Sequence, residues 1–282
     1  QNPNWAKTDS IKKNFASPFF DAVNTQIMNY ESDPFEADLV KYPIKYAIVA
    51  DRMFESQLQP FIQWKTQKGF DVVVGYTDTV GSSTSAIKSW IEGLYNAGTP
   101  EDPAPSFVLF VGDAQQIPAW SGSAGSHITD LRYCEFTGDD LPEIYYGRFS
   151  AQNTGELQPQ IDKTLEYEQY TMPDPGYLAE VTLVSGVDSG YADPYGNGQI
   201  NYGTTYYFDT AHGISPHVWL YPASDGSGVP AEVRQTISDG VGFYNYTAHC
   251  SHTGPQDPSF TTSDIDNLTN IHKYLLGIGN CC

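Results

Sequence analysis

Two stretches decide how this chain is read. The first is Val241-Gly242-Phe243-Tyr244-Asn245-Tyr246-Thr247-Ala248-His249-Cys250-Ser251-His252. The second, after a polar turn, is Lys273-Tyr274-Leu275-Leu276-Gly277-Ile278-Gly279-Asn280-Cys281-Cys282. Val241 to Thr247 is rich in β-branched and aromatic residues and reads as a strand that ends at Ala248-His249. Tyr274 to Ile278 is a short apolar run that reads as a buried strand ending at Gly279-Asn280-Cys281-Cys282. In an open α/β sheet the carboxyl ends of the strands form the edge where ligands bind. A His at one strand end and a Cys at another can meet there. A thiolate is the strongest side-chain nucleophile at neutral pH, and a neighbouring imidazole promotes it and later protonates the leaving group. By residue type alone the pair is weak evidence, because buried cysteines and hydrogen-bonded strand-end histidines are common.

Upstream, the pattern supplies the rest of such a sheet. Lys45 to Ala50 reads as a strand, and Gln57 to Lys68 as a helix with Pro60 in its first turn and Gly69 at its end. Asp71 to Tyr76 is a second strand. Ser83 to Asn96 is a helix with Ile87, Trp90, Ile91 and Leu94 on one face, and Ser106 to Val111 is a third strand. This alternation predicts a mostly parallel sheet with helices on both faces. Glu156 to Tyr170 reads as a helix carrying Ile161, Leu165, Tyr167 and Tyr170. The pattern then restarts near Tyr177: a strand from Glu180 to Val187, a helix from Tyr202 to Ala211, a strand from His217 to Tyr221 and a helix from Pro230 to Ser238. The expected division is an N-terminal extension over 1–41, docked by Trp5, Phe19 and Phe20, and two subdomains over 42–176 and 177–282.

The chain has 282 residues, 40% of them hydrophobic, which suits a substantial core. Its net charge of −20 argues against nucleic-acid binding and would attract basic peptides. No run approaches 18 apolar residues, so no membrane span is expected. The chain opens on Gln1 without a signal-peptide pattern, as a processed chain would. Four cysteines are too few for a disulfide-stapled domain, and His249 with His252 lacks further ligands for a structural zinc.

The segments Asn245-Tyr246-Thr247-Ala248-His249, Thr261-Thr262-Ser263 and Ile278-Gly279-Asn280-Cys281-Cys282 resemble the gingipains, cysteine peptidases of the caspase-like clan. Lysine-specific members are nearest in wording. Trp64-Lys65, Gln67-Lys68-Gly69-Phe70, Phe110-Val111-Gly112-Asp113 and Gly147-Arg148-Phe149-Ser150 fit at corresponding places, so the likeness runs from about Lys45 to Cys282. It implies a caspase-like α/β fold of two side-by-side subdomains in a secreted or cell-surface bacterial endopeptidase. It implies Cys282, not Cys281, as nucleophile, His249 as its partner and Asp188, at the end of Ser185-Gly186-Val187-Asp188, as the acid that orients His249; Asp193 is the rival. Backbone N–H groups of Cys250 and Cys282 would hold the oxyanion. Cleavage after basic residues, Lys over Arg, in protein or peptide substrates is implied, with no cofactor needed for the chemistry.

The Asp-rich turn Gly138-Asp139-Asp140 offers Asp139 and Asp140 as candidate calcium ligands, without EF-hand spacing. Three departures from the family stand out. Cys250 replaces the glycine after the histidine, which would be strained if that position needs a positive φ. Pro255 replaces an aromatic residue. The family continues well beyond the Cys-Cys pair, so a downstream segment that completes the catalytic domain and carries the P1-selecting acid is expected. Cys281 is expected as a buried thiol, with Cys250–Cys282 or Cys281–Cys282 redox pairs as alternatives. A sortase-like transpeptidase, a catalytically weak binding component of a secretion system, or a carbohydrate-binding protein, given 20 Tyr and 5 Trp, are the competing readings.

Overall fold

Two four-stranded parallel sheets, one in each of two units that divide between Leu165 and Glu166, carry the chain. The computed structural model describes residues 43–122 and 127–281. The proposed N-terminal extension, with Trp5, Phe19 and Phe20, and the residue Cys282 lie outside them.

The first unit runs β1 (Lys45–Ala50), α1 (Glu55–Gln67), β2 (Asp71–Tyr76), α2 (Thr84–Asn96), β3 (Pro105–Val111) and β4 (Tyr145–Phe149). α3 (Thr154–Gln169) follows. The sheet order is β2-β1-β3-β4, every pairing parallel. Near-continuous apolar strands such as Tyr46-Ala47-Ile48-Val49-Ala50 suit a sheet covered on both faces. Successive side chains point to opposite faces. Ala47, Val49, Val108 and Phe110 accordingly pack with Ile87 and Ile91 of α2. Ile48, Ala50, Leu109 and Val111 pack with Leu58 and Phe61 of α1 and Leu157 and Ile161 of α3. Ser83 caps α2 by accepting from Ala86 N at 3.2 Å. α1 starts earlier than its spacing suggests. Asp51 caps a short 3-10 turn, Arg52–Phe54, that feeds it, so Pro60 sits two residues deeper in the helix than expected. β4 was not legible as a strand. Its Tyr-Tyr-Gly-Arg-Phe sequence has neither alternation nor an apolar run, and pairing with β3 imposes the strand.

The second unit runs β5 (Glu180–Ser185), α4 (Gly198–Tyr206), β6 (Ser215–Trp219), α5 (Val229–Asp239), β7 (Phe243–Thr247) and β8 (Leu276–Asn280). Its order is β6-β5-β7-β8, again all parallel. Val184 and Tyr246 pack with Val233 and Ile237 of α5, and Val181 and Leu183 with Ile200 of α4. α4 lies upstream of the expected 202–211 helix. Tyr202 and Tyr206 are exposed, and Ile200 is the buried side chain that anchors α4. A π-type turn, Ala192–Asn197, occupies part of the expected loop. β8 is shifted towards the chain end and is exposed throughout, not buried. It is the edge strand of its sheet, so Leu276 and Ile278 are covered on one side at most.

Both sheets therefore share one order: second strand, first, third, fourth. The direction of strand addition reverses between the first and third strands. At such a reversal the loops after the two strands part and leave a crevice beyond their carboxyl ends. In the first unit that crevice lies after β1 and β3, in the second after β5 and β7.

Candidate active site

The two crevices are furnished differently. In the first unit Asp51 follows β1 and Asp113 follows β3, and both carboxylates are spent on local structure. Asp51 accepts from Met53 N at 2.9 Å. Asp113 accepts from Ala114 N at 2.8 Å, Gln152 Nε2 at 2.9 Å and Ser150 Oγ at 3.2 Å. These donors, Gln152 first, hold its carboxyl below the usual range.

In the second unit the same two places present chemistry. Asp188 lies just past β5 and His249 just past β7, and Asp188 Oδ2 is 3.3 Å from His249 Nε2. The Asp188 side chain is 21% exposed and that of His249 59% exposed. The other Asp188 oxygen accepts from Gly190 N at 3.2 Å, and the Asp188 carbonyl accepts from Ala192 N at 2.8 Å. An Asx-type turn thus fixes the carboxylate and leaves one oxygen for the imidazole. With Nε2 turned to Asp188, Nδ1 is the nitrogen left for a reacting partner. Asp193, the rival acid, is engaged instead by Asn197 Nδ2 at 3.2 Å.

The segment bearing His249 is tightly tied. Tyr246 Oη lies 2.8 Å from the His249 carbonyl and 3.2 Å from that of Asp257. Gln256 N donates to the His249 carbonyl at 3.1 Å. Gly186 N donates to Thr247 O and Val187 N to Asp257 O, each at 3.0 Å. A β-carbon at Gly186 would sit 2.5 Å from Asp257 O and 2.7 Å from Tyr246 Oη. Gly186→Ala is therefore expected to push these segments apart, at a cost of about 1–3 kcal/mol. Equilibrium urea denaturation of the variant reads that cost directly.

Parallel pairing sets Asn280 of β8 beside Thr247 of β7. The next residue, Cys281, is disulfide-bonded to Cys250, with the two Cα atoms 5.3 Å apart. This corrects the expectation of a buried Cys281 thiol, and also the alternative pairings through Cys282. The physical reason is the shared edge: both strands end together, so the residues after them meet. Cys134 is the buried free thiol among the described residues, and burial raises its pKa strongly. Cys250 takes no positive φ. Among the described residues, the non-glycine ones that do are Asp140, Tyr170 and His272, so the exchange of glycine for Cys250 carries no such strain. Cys282, the expected nucleophile and second oxyanion donor, lies outside the described residues.

The candidate calcium ligands Asp139 and Asp140 lie in a local turn. Asp139 Oδ1 accepts from Leu141 N at 2.9 Å, as an Asx turn does. No group of three or more His, Cys, Asp or Glu side chains among the described residues is placed to hold a metal. Tyr246 and the Cys250–Cys281 bond were not singled out from sequence. A tyrosine three residues before a candidate histidine gives no signal, because its hydroxyl returns to that residue only through the turn.

The sequence profile of peptidase family C25 matches residues 40–282. The chain belongs to this family. Curated relatives include Lys-gingipain HG66 of Porphyromonas gingivalis, 40% identical over 94% of this chain and 15% of the relative. Gingipain R2 of the same organism is 25% identical over 93% of this chain and 35% of the relative. Among solved structures, one titled "Structure of Protease" superimposes with a TM-score of 0.78 at 40% identity, over 85% of this chain and 52% of that one. The Arg-specific cysteine proteinase gingipain R superimposes at 0.71 and 22% identity, over 85% and 54%, and speaks for the fold alone. The chain thus spans about half of the solved chains and a smaller share of the curated relatives. The mostly parallel α/β architecture expected from sequence is that of these C25 peptidases.

Proposed function

We propose that this C25 chain forms the catalytic centre of a secreted or cell-surface cysteine endopeptidase that cleaves after basic residues, lysine before arginine. The observation that carries the proposal is the Asp188–His249 pair at the crevice of the second sheet, with the residue before Cys282 bonded to the residue after His249. In this reading the Cys282 thiolate attacks the scissile carbonyl carbon. The carbon–nitrogen bond breaks, His249 protonates the leaving amine, and water then hydrolyses the Cys282 thioester. Asp188 holds the imidazole orientation and stabilises its protonated form. Backbone N–H groups of Cys250 and Cys282 stabilise the oxyanion.

Three observations support the finer points. A relative 40% identical is named for lysine. The net charge of −20 favours basic peptides. A disulfide suits an oxidising compartment outside the cell. No helix among the described residues is long and apolar enough to cross a membrane.

The test is hydrolysis of Lys- and Arg-ended peptide aminomethylcoumarides by the intact protein and by Cys282→Ala. The expected result is a higher kcat/KM for the Lys peptide and no turnover by the variant. Equal activity with and without the Cys282 thiol would end the assignment.

A further inference from the structure

The His249 ring is more than half exposed, and its contact with Asp188 is long for a hydrogen bond. What sets its position is the backbone beneath it. We propose that Tyr246, Cys250 and Cys281 are positioning residues that clasp the His249 turn from both sides, and that reduction of the Cys250–Cys281 disulfide by a dithiol loosens the clasp and lowers turnover. The proposal rests on the peptidase reading above.

On one side, the Tyr246 ring is buried at 1% exposure in the core with Val184, Val233 and Ile237. Its hydroxyl reaches up from that rigid base to the His249 carbonyl. Burial raises the pKa of this hydroxyl, so it stays a donor through the neutral range. On the other side, Cys250 begins a two-residue hairpin, Cys250–Ser251 against Gly254–Pro255. The disulfide closes a separation of 31 residues and ties that hairpin to the end of the edge strand. β8 is exposed along its whole length, so packing alone holds it weakly. The bond thus joins the residue after His249 to the residue before Cys282.

Its reduction is an ordinary exchange. One thiolate of the dithiol attacks a disulfide sulfur to give a mixed disulfide and one free cysteine. The second thiolate closes the reagent to a cyclic disulfide and releases the other cysteine. The reagent loses two electrons and the protein gains them.

The experiment uses the intact protein and four variants: Tyr246→Phe, Cys250→Ser, Cys281→Ser and the double Cys250→Ser/Cys281→Ser. The readouts are kcat and KM on a Lys-ended aminomethylcoumaride, and the pH dependence of Cys282 alkylation by iodoacetamide. Misplacing a catalytic group by a fraction of an ångström to an ångström can cost up to a hundredfold, so kcat is expected to fall by about tenfold with KM nearly unchanged. The three cysteine variants should lose the same factor, because each removes the same bond. Half-maximal alkylation should move to higher pH as His249 supports the thiolate less well. Partial unfolding alone would lower the amplitude and leave that midpoint in place.

A dithiothreitol titration of the wild type supplies a second measurement that needs no variant. Activity should rise as the Cys282 thiol is restored and then fall at the most reducing end. In the double variant it should only rise. Should the cysteine variants fail to melt cooperatively, the wild-type curve decides by itself, and a curve without a falling limb overturns the clasp. Undiminished kcat in the folded double variant overturns it too. A wild type that hydrolyses no peptide overturns the peptidase reading, and the clasp with it. An active wild type with indifferent variants overturns the clasp alone.

Discussion

Replacing His249 with alanine is expected to lower kcat about a hundred- to ten-thousandfold, the range general acid–base catalysis supplies. The loss should appear with little change in stability, because the side chain is 59% exposed. Its backbone ties persist in the variant, since the carbonyl that Tyr246 and Gln256 bond is unchanged. Asp188→Asn should cost less than His249→Ala, because it leaves the imidazole present while removing the charge that orients it. The amide also keeps an oxygen able to accept from Gly190 N, so the turn should survive. Steady-state kinetics on a Lys-ended peptide, paired with thermal melts, check both variants. A His249→Ala protein within a factor of ten of wild type would remove the histidine from the mechanism.

The second large effect concerns stability and lies in the first unit. Arg148 on β4 is only 16% exposed, as is Asp130. Its guanidinium meets the Asp130 carboxylate with Nε at 2.8 Å and Nη2 at 2.7 Å. Nη1 donates to the Gly112 carbonyl at 2.7 Å and to that of Ile117 at 3.0 Å. One side chain therefore satisfies two backbone carbonyls past β3 and pairs a largely buried acid. Removing one partner of such a pair leaves the other charge poorly solvated. Arg148→Ala is expected to cost about 3–5 kcal/mol. Arg148→Lys should recover little of this, because an ammonium cannot reproduce the planar fork. Urea denaturation should show the transition at markedly lower denaturant in both variants. A midpoint within experimental error of wild type for Arg148→Ala would mean the pair is neutral to folding.

The two crevices differ in what their strand-end acids are free to do. The strand order is the same in both. In the first unit the acids at the strand ends are consumed by caps and by Ser150 and Gln152. In the second, an Asx turn occupies one oxygen of Asp188 and leaves the other facing His249.

The strands whose residues settle the architecture announce themselves in sequence. Lys45–Ala50, Asp71–Tyr76 and the His-bearing run up to Thr247 are dense in β-branched and aromatic residues, and burial on both sheet faces requires that density. The helices over 84–96 and 229–239 are legible for a similar reason, as their apolar positions recur at helical spacing. His249, Asp188 and Cys282 were legible as candidates through the likeness of their flanking segments to the gingipains, since by residue type alone a Cys, a His and a loop Asp are weak evidence. Elements with no apolar face of their own were not legible. β4 exists by pairing with β3, and Ile200 is the buried residue of α4. Which cysteines pair is a matter of distance after folding. Cys250 and Cys281 are remote in sequence, and only the parallel register of β7 and β8 brings them within bonding reach. The facing of Asp188 and His249 has the same origin, since the strand order places the ends of β5 and β7 side by side.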